Sequence, residues 1–305
     1  MSVPAAYIGV ILIWSTTPLA IQWSGDEVGW LFGITTRMCI GVLTGLLAAL
    51  AFRIRLPWHA QARRTYLAAG LGLFCAMTTV YWSARYIPSG LISVLFGMAP
   101  MITGVMAHVW LRETALSTAR IAGLLLGIAG LAGMLVGARS LGPGAALGIA
   151  GMLVSVTAYS ASAVAIKRIG ADIPALATTI GGLAVTVPLL LAVCLLTGQA
   201  LPAHVPARAA LSIAYLGMVG SVLGFAMYYY VLRHVDATRV ALITLVTPVI
   251  ALLLGHMLNG EVVHADVWVG TATILTGLLM FEYGQRVDGW KLRRQERMDK
   301  RTPAP

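Results

Sequence analysis

Long apolar stretches alternate with short polar connections along most of the chain. Each stretch runs for about 20 residues, the length that a helix rising 1.5 Å per residue needs to cross roughly 30 Å of hydrocarbon. None of them shows the strict alternation that a membrane β-barrel strand requires. The pattern therefore predicts ten transmembrane helices. The predicted spans are Pro4–Trp23, Trp30–Phe52, Tyr66–Tyr86, Gly90–Leu111, Ala119–Ala138, Leu147–Ile166, Pro174–Thr197, Arg208–Leu232, Ala237–Leu258 and Val267–Tyr283.

Composition supports lipid as the main solvent of the folded chain. Hydrophobic residues make up 59% of the sequence and charged residues 10%, and the mean hydropathy is +0.86. A soluble domain carries roughly 25% charged residues. The three cysteines lie in apolar stretches without the spacing of a metal site. We therefore expect an all-α integral membrane protein without a metal ion or cofactor.

The basic residues are concentrated on one side of the predicted membrane. The even-numbered connections and the tail after the last span hold 17 of the 21 Lys and Arg residues, whereas the other connections hold only Arg85, Arg139 and Arg208. Because basic loops stay in the cytoplasm, this asymmetry predicts that both termini are cytoplasmic. This distribution also accounts for the net charge of +10. We therefore do not expect the protein to bind nucleic acid.

The sequence repeats itself at an offset of 148 residues. Pro100, His108 and Glu113 align with Pro248, His256 and Glu261, and a Gly-spaced helix follows both copies. Each copy contains five predicted spans, and an odd number forces the second copy to lie upside down relative to the first. Inverted repeats are typical of secondary transporters. We predict a first repeat over 1–140, a second over 141–285 and a basic cytoplasmic tail over 286–305.

These motifs resemble the drug/metabolite transporter superfamily, in particular its EamA-type branch of ten-helix transporters. The resemblance rests on Ile13-Trp14-Ser15, on Arg37, on the stretch from Ala99-Pro100 to Glu113 and on the stretch from Thr247-Pro248 to Glu261. It implies a central cavity lined by spans 1, 3, 4, 6, 8 and 9. It also implies export across a bacterial inner membrane.

Arg37 is the one basic residue well inside a predicted span, about 10 Å from its outer end. A charge at that depth is costly unless it faces protein or a cavity. One open role is binding a substrate carboxylate. The alternative is that the side chain reaches towards the membrane surface or bonds to helix-end carbonyls. Aromatic, hydroxyl and thioether side chains elsewhere complete the predicted substrate cavity, although aromatic residues in helices also serve packing. The predicted cavity residues are Trp14, Thr17, Arg37, Tyr81, Trp82, Met98, Tyr159, Tyr229 and Thr244.

Three repeated pairs suggest moving parts. Pro100 and Pro248 are expected in the middle of helices, where a proline removes a hydrogen bond and kinks the helix, so each is a candidate hinge. His108 and His256 are candidates for a proton relay, with a neutral hydrogen-bonded imidazole as the alternative. Glu113 and Glu261 are candidates either for a structural cap or for a gate salt bridge.

The sequence therefore predicts a secondary transporter that exports a small metabolite or an amino acid by alternating access, and not an enzyme. The alternative is a membrane-embedded lipid-handling protein or enzyme. The expected partners are a small-molecule substrate and the lipid bilayer, and a monomer and a homodimer both remain open.

Overall fold

The structure, a computed structural model, describes residues 2–112, 117–137, 142–234 and 237–299. Side chains at 225–226, 229, 232–233, 237–242 and 283–299 lie outside this description. Within the described ranges the chain forms helices and no strands. The helices are α1 (Val3–Gly25), α2 (Trp30–Ala51), α3 (Ala60–Ser83), α4 (Ser89–Phe96), α5 (Ala99–Leu111), α6 (Thr118–Gly137), α7 (Ala145–Ile169), α8 (Ala175–Leu196), α9 (Ala207–Tyr215), a π-helical segment (Leu216–Leu223), α10 (Gly224–His234), α11 (Ala237–Asn259) and α12 (Ala265–Asp299).

These helices form ten membrane-crossing segments. Eight helical stretches in the described chain are long and apolar enough to cross a membrane, and the shorter apolar stretches Ala207–Leu223 and Ile243–Asn259 belong to the remaining two. The fourth segment consists of α4 and α5, and the eighth consists of α9, the π-helical segment and α10. The predicted all-α fold with ten transmembrane helices in two inverted halves of five is confirmed.

The two halves interlock. The first helix of the first half, α1, packs against α10 and α11, which belong to the third and fourth segments of the second half. Its counterpart α7 packs in the same way against α3 and α5 of the first half. The second helices, α2 and α8, pack together, and so do the fifth helices, α6 and α12. Each half thus completes the core of the other, as an internal two-fold axis requires.

Glycines allow α6 and α12 to touch backbone to backbone. A Cβ added to Gly123 would lie 2.5 Å from the carbonyl oxygen of Gly277, and one added to Gly130 would lie 2.9 Å from that of Gly270. The repeat aligns Gly123 with Gly270 and Gly130 with Gly277, so the two-fold operation exchanges one contact with the other. Small residues at this spacing bring membrane helices close together.

Hydroxyl groups of α7 bind neighbouring backbones. Ser155 donates a hydrogen bond to the carbonyl oxygen of Ala76 (2.8 Å), and Ser162 donates one to that of Ala68 (2.9 Å). Interhelical hydrogen bonds of this kind add to packing where no water competes for the donors. They hold α7 against α3, the helix that also carries Tyr81.

Candidate functional site

Arg37 is buried in the protein rather than exposed to lipid. Its side chain is 6% exposed, and Nη1 donates a hydrogen bond to the hydroxyl of Tyr81 at 3.4 Å. The guanidinium carbon lies 5.9 Å from the centre of the Tyr81 ring. Nε is buried without a hydrogen-bond partner, and no carboxylate of the described residues forms an ion pair with this arginine. A buried cation is therefore held by one long hydrogen bond to a neutral phenol.

The π-helical segment makes room for Arg37. A Cβ added to Gly220 would lie 3.9 Å from Nη2 of Arg37, and one added to Gly217 would lie 3.1 Å from the Arg37 carbonyl oxygen. A larger side chain at Gly217 would crowd α2, whereas an added Cβ at Gly220 would be in ordinary contact with Arg37. Single-turn π-helices are frequently found at functional sites. The corresponding part of the first half lies in α3, which remains α-helical, so this feature breaks the symmetry of the repeat.

Tyr81 connects Arg37 to a cavity. Ser24 of α1 donates a hydrogen bond to the Tyr81 hydroxyl (3.2 Å), so the phenol ties three helices together. The ring also borders a cavity of about 250 Å³ at the end of the bundle where α1 and α3 end and α2 begins. The cavity is lined by Ile21, Gln22, Gly25, Asp26, Trp30, Tyr81, Ala84 and Arg85.

This cavity carries both signs of charge beside an aromatic wall. Arg85 is exposed and lies over the Tyr86 ring at 5.4 Å, whereas Asp26 forms an ion pair with Arg208. Gln22 adds an amide. Such a lining suits a small compound with a charged end and an apolar body. The cavity is built from segments 1 to 3, which differs from the central cavity that the family resemblance implies.

The other predicted cavity residues lie apart from this cavity. The Trp14 ring contacts Tyr228 at 4.9 Å, Trp82 packs on Tyr86 at 4.9 Å, and Tyr159 meets Phe96 edge to face at 5.3 Å.

The remaining predicted cavity residues that the structure describes also lie elsewhere. Thr17 donates its hydroxyl hydrogen bond to the backbone oxygen of Ile13 in its own helix. Met98 is 6% exposed in the main apolar cluster, and Thr244 is half-buried in α11. The side chain of Tyr229 lies outside the described residues. Their role in substrate binding stays a prediction.

The two repeated prolines have different surroundings. The fourth segment breaks at Gly97 and Met98, and Pro100 follows in the first turn of α5, where its missing N–H leaves no hydrogen bond unmade. Pro248 lies inside α11, which continues to Asn259. A Cβ added to Gly97 would lie 3.7 Å from Cγ of Pro248, so the break faces the second proline. Pro100 is thus not in mid-helix, and the hinge role of both prolines stays a prediction.

The histidine and glutamate pairs are only partly described. Glu113 lies outside the described residues, and His108 is half-buried on α5. His256 is exposed, and its Nδ1 is 2.9 Å from the backbone oxygen of Glu261. This contact supports the structural alternative for His256.

Glu261 caps a helix of the other half. Its carboxylate accepts hydrogen bonds from the backbone N–H groups of Ser89 (3.1 Å) and Gly90 (3.4 Å), which begin α4. The Asn259 amide also donates to this carboxylate at 3.0 Å. A negative charge is favourable at a helix N-terminus, where backbone N–H groups have no helical partner. The arrangement supports a structural cap and joins the α11–α12 connection to the fourth segment.

Sequence reasoning missed the amides that extend this contact. Asn259 donates to Gln22 Oε1 at 3.1 Å and accepts a hydrogen bond from the Trp23 indole at 2.9 Å. The signal available in the sequence was a polar amide at the end of two apolar stretches, Gln22 in the first and Asn259 after the ninth. Sequence alone did not show that these two ends meet.

The comparisons with known proteins agree with this architecture. The sequence profile of the EamA-like transporter family matches residues 3–136 and again residues 146–283. The chain belongs to this family. Membership confirms the resemblance found in the sequence.

Relatives of this EamA-like chain carry transporter names. It is 26% identical to the uncharacterized inner membrane transporter YedA of Escherichia coli over 65% of this chain and 63% of that protein. It therefore spans less than two thirds of the length of YedA. The chain is also 25% identical to a probable terminal-alkyne amino-acid exporter of Streptantibioticus cattleyicolor, over 90% of this chain and 91% of that one. A solved crystal structure has the same fold, with a TM-score of 0.63 and 22% identity over 92% of this chain and 97% of that chain.

Proposed function

We propose that this protein is a secondary transporter of the inner membrane that exports a small metabolite or an amino acid by alternating access. The moving units are the two repeats, over 1–140 and 141–285. Both termini face the cytoplasm. The proposal requires no chemistry on the substrate, so no catalytic residue is assigned.

The observation that carries the proposal is the interlocking of the inverted halves. The first helix of each half is packed between the third and fourth segments of the other. If one half tilts, the two-fold relation creates an equivalent arrangement on the opposite side of the membrane. Rocking of inverted repeats around a shared site is the basis of alternating access in many carriers.

The broken fourth segment supplies a place where this motion can occur. At Gly97 and Met98 the backbone forms hydrogen bonds to the third preceding residue, from Gly97 N to Val94 O (3.1 Å) and from Met98 N to Leu95 O (3.1 Å). Hinges are commonly a few residues at helix ends that absorb a change in backbone angles. The Glu261 cap holds the other end of α4 in place.

The names of two relatives support the direction and the location. The Streptantibioticus protein is named as a probable amino-acid exporter, and YedA is named as an inner membrane transporter. The cavity of about 250 Å³ also suits a compound as small as an amino acid.

The test is flux through the purified protein in liposomes. We expect counterflow of at least one compound in a panel of amino acids, hydroxy acids and amines, and loss of that flux when Gly97 and Met98 are cross-linked to α11 through introduced cysteines. A matched cysteine pair within α6 serves as the control and should leave flux unchanged. Absence of flux for every compound, together with turnover of a lipid in the same vesicles, would support the membrane-enzyme alternative instead.

A further inference from the structure

We infer that Arg37 binds the carboxylate of the transported compound, and that Tyr81 occupies this position while no compound is bound. The inference rests on the proposed transport function and narrows its substrate to monocarboxylates, with amino acids as the class that best matches the adjoining cavity.

The first step is the charge of Arg37. Its guanidinium has five N–H donors. In the described structure, one of these donors reaches the Tyr81 hydroxyl at 3.4 Å, and Nε is buried without a partner. A buried charge normally has an opposite charge or several hydrogen bonds. A carboxylate would provide both, because it can accept two parallel hydrogen bonds from the planar guanidinium.

The second step is access. Among the described residues, Tyr81 is the one that both lines the cavity and binds Arg37. Among the described residues, the Tyr81 hydroxyl forms hydrogen bonds with Ser24 and Arg37. A carboxylate arriving in the cavity competes directly for the same guanidinium. Displacement of Tyr81 would open the cavity to the Arg37 guanidinium.

The third step is the choice among anions. Arg37 is the one buried cation that the described structure places next to Tyr81, and the other arginine of the lining, Arg85, is exposed. The buried position therefore balances one negative charge and not the two of a phosphate monoester.

The cavity lining also contains the Asp26 carboxylate, which forms a solvent-exposed ion pair with Arg208 and can exchange this partner for a substrate ammonium group. The Trp30 ring in the same lining can contact an apolar body. This combination matches an α-amino acid better than it matches a dicarboxylate or an organic cation.

A second buried arginine provides a matched control. Arg120 on α6 is 5% exposed, and its Nε also lacks a partner in the described structure. Its guanidinium carbon lies 4.7 Å from the centre of the Phe281 ring, and it does not line the cavity at Tyr81. Substitution of Arg120 therefore removes a cation of similar burial without touching the proposed site.

The experiment compares amino acids in proteoliposomes with their amides, in which a neutral carboxamide replaces the carboxylate and the amino group is kept. The probes are leucine, phenylalanine, threonine and alanine, each paired with its amide, together with inorganic phosphate. For the wild-type protein we expect at least tenfold faster flux of the carboxylates than of the amides, and no flux of phosphate. Arg37→Gln should lower the carboxylate flux at least tenfold and abolish the preference, whereas Arg120→Gln should retain the preference.

Two further variants separate binding from folding. Arg37→Lys keeps the charge but loses the planar fork, so we expect the carboxylate preference to remain with a raised KM. Tyr81→Phe removes the competing hydroxyl and should lower the KM for carboxylates. Equal flux of amides and carboxylates in the wild-type protein, or an unchanged preference in folded Arg37→Gln protein, overturns the inference and leaves the transport function standing. Absence of flux for all probes and for the wider panel overturns the transport function itself.

Discussion

Gly123 and Gly133 lie on the same helix, α6, in different surroundings. Gly123 faces α12, where an added Cβ would lie 2.7 Å from the backbone nitrogen of Phe281. Gly133 has no neighbouring atom within 4 Å of the same position. Backbone atoms cannot turn away as a flexible side chain can. Replacement by alanine is therefore expected to destabilise the protein at Gly123 and not at Gly133.

We predict that Gly123→Ala lowers the free energy of unfolding by about 1–3 kcal/mol, because the methyl group forces α6 and α12 apart. Gly133→Ala is the control, and it should be neutral or stabilising by about 0.4–1 kcal/mol, since alanine loses less backbone entropy in a helix. Thermal unfolding in detergent measures both. Equal midpoints for the two variants would show that the α6–α12 contact is looser than described.

At the scale of helices, one connection stabilises an element far away in the sequence. Glu261 caps α4 across 172 residues, and α4 is the short helix before the break at Gly97. Four N–H groups at a helix start need partners outside the helix. An eight-residue helix depends strongly on such a cap, because little intrahelical bonding compensates for its loss.

We expect Glu261→Ala to lower the free energy of unfolding by about 1–2 kcal/mol, the usual cost of losing a cap. Amide exchange should rise first at Ser89 and Gly90. Asp172→Ala, at an exposed carboxylate in the α7–α8 connection, provides the control and should change neither quantity. Unchanged exchange at α4 in the Glu261 variant would contradict the capping role.

At the scale of the whole molecule, the distribution of charge predicts which face is outside. The cavity at Tyr81 lies on the face with few basic residues, and the α2–α3 connection lies on the basic face. Arg85 and Arg55 are exposed at these two ends. Cysteine substitutions at these two exposed arginines therefore report which face is outside, and each substitution replaces the same residue type.

In a variant lacking Cys39, Cys75 and Cys194, we predict that Arg85→Cys reacts with a membrane-impermeant maleimide in intact cells. Arg55→Cys should react only after the membrane is permeabilised. The reverse pattern would place the basic connections outside and refute cytoplasmic termini.

The sequence also failed to predict several element boundaries. The predicted third span begins at Tyr66, whereas α3 begins at Ala60, because hydropathy does not detect the polar first turns around Arg63 and Arg64. The eighth span was predicted as one apolar run, but it contains a π-helical segment. Nothing in a hydropathy pattern distinguishes the hydrogen bonding of these helix types.

The sequence by itself determined the number of spans, the repeat and the family. These properties follow from lengths and spacings along the chain, because the bilayer fixes how many apolar residues a helix needs. Only the tertiary structure decided which partners the functional residues have. Arg37 meets Tyr81 across 44 residues, and Pro100 and Pro248 share a motif but lie in a helix start and a helix interior. Such differences arise from contacts between distant segments, and a repeated sequence motif does not require both copies to have the same local hydrogen bonding or the same neighbours.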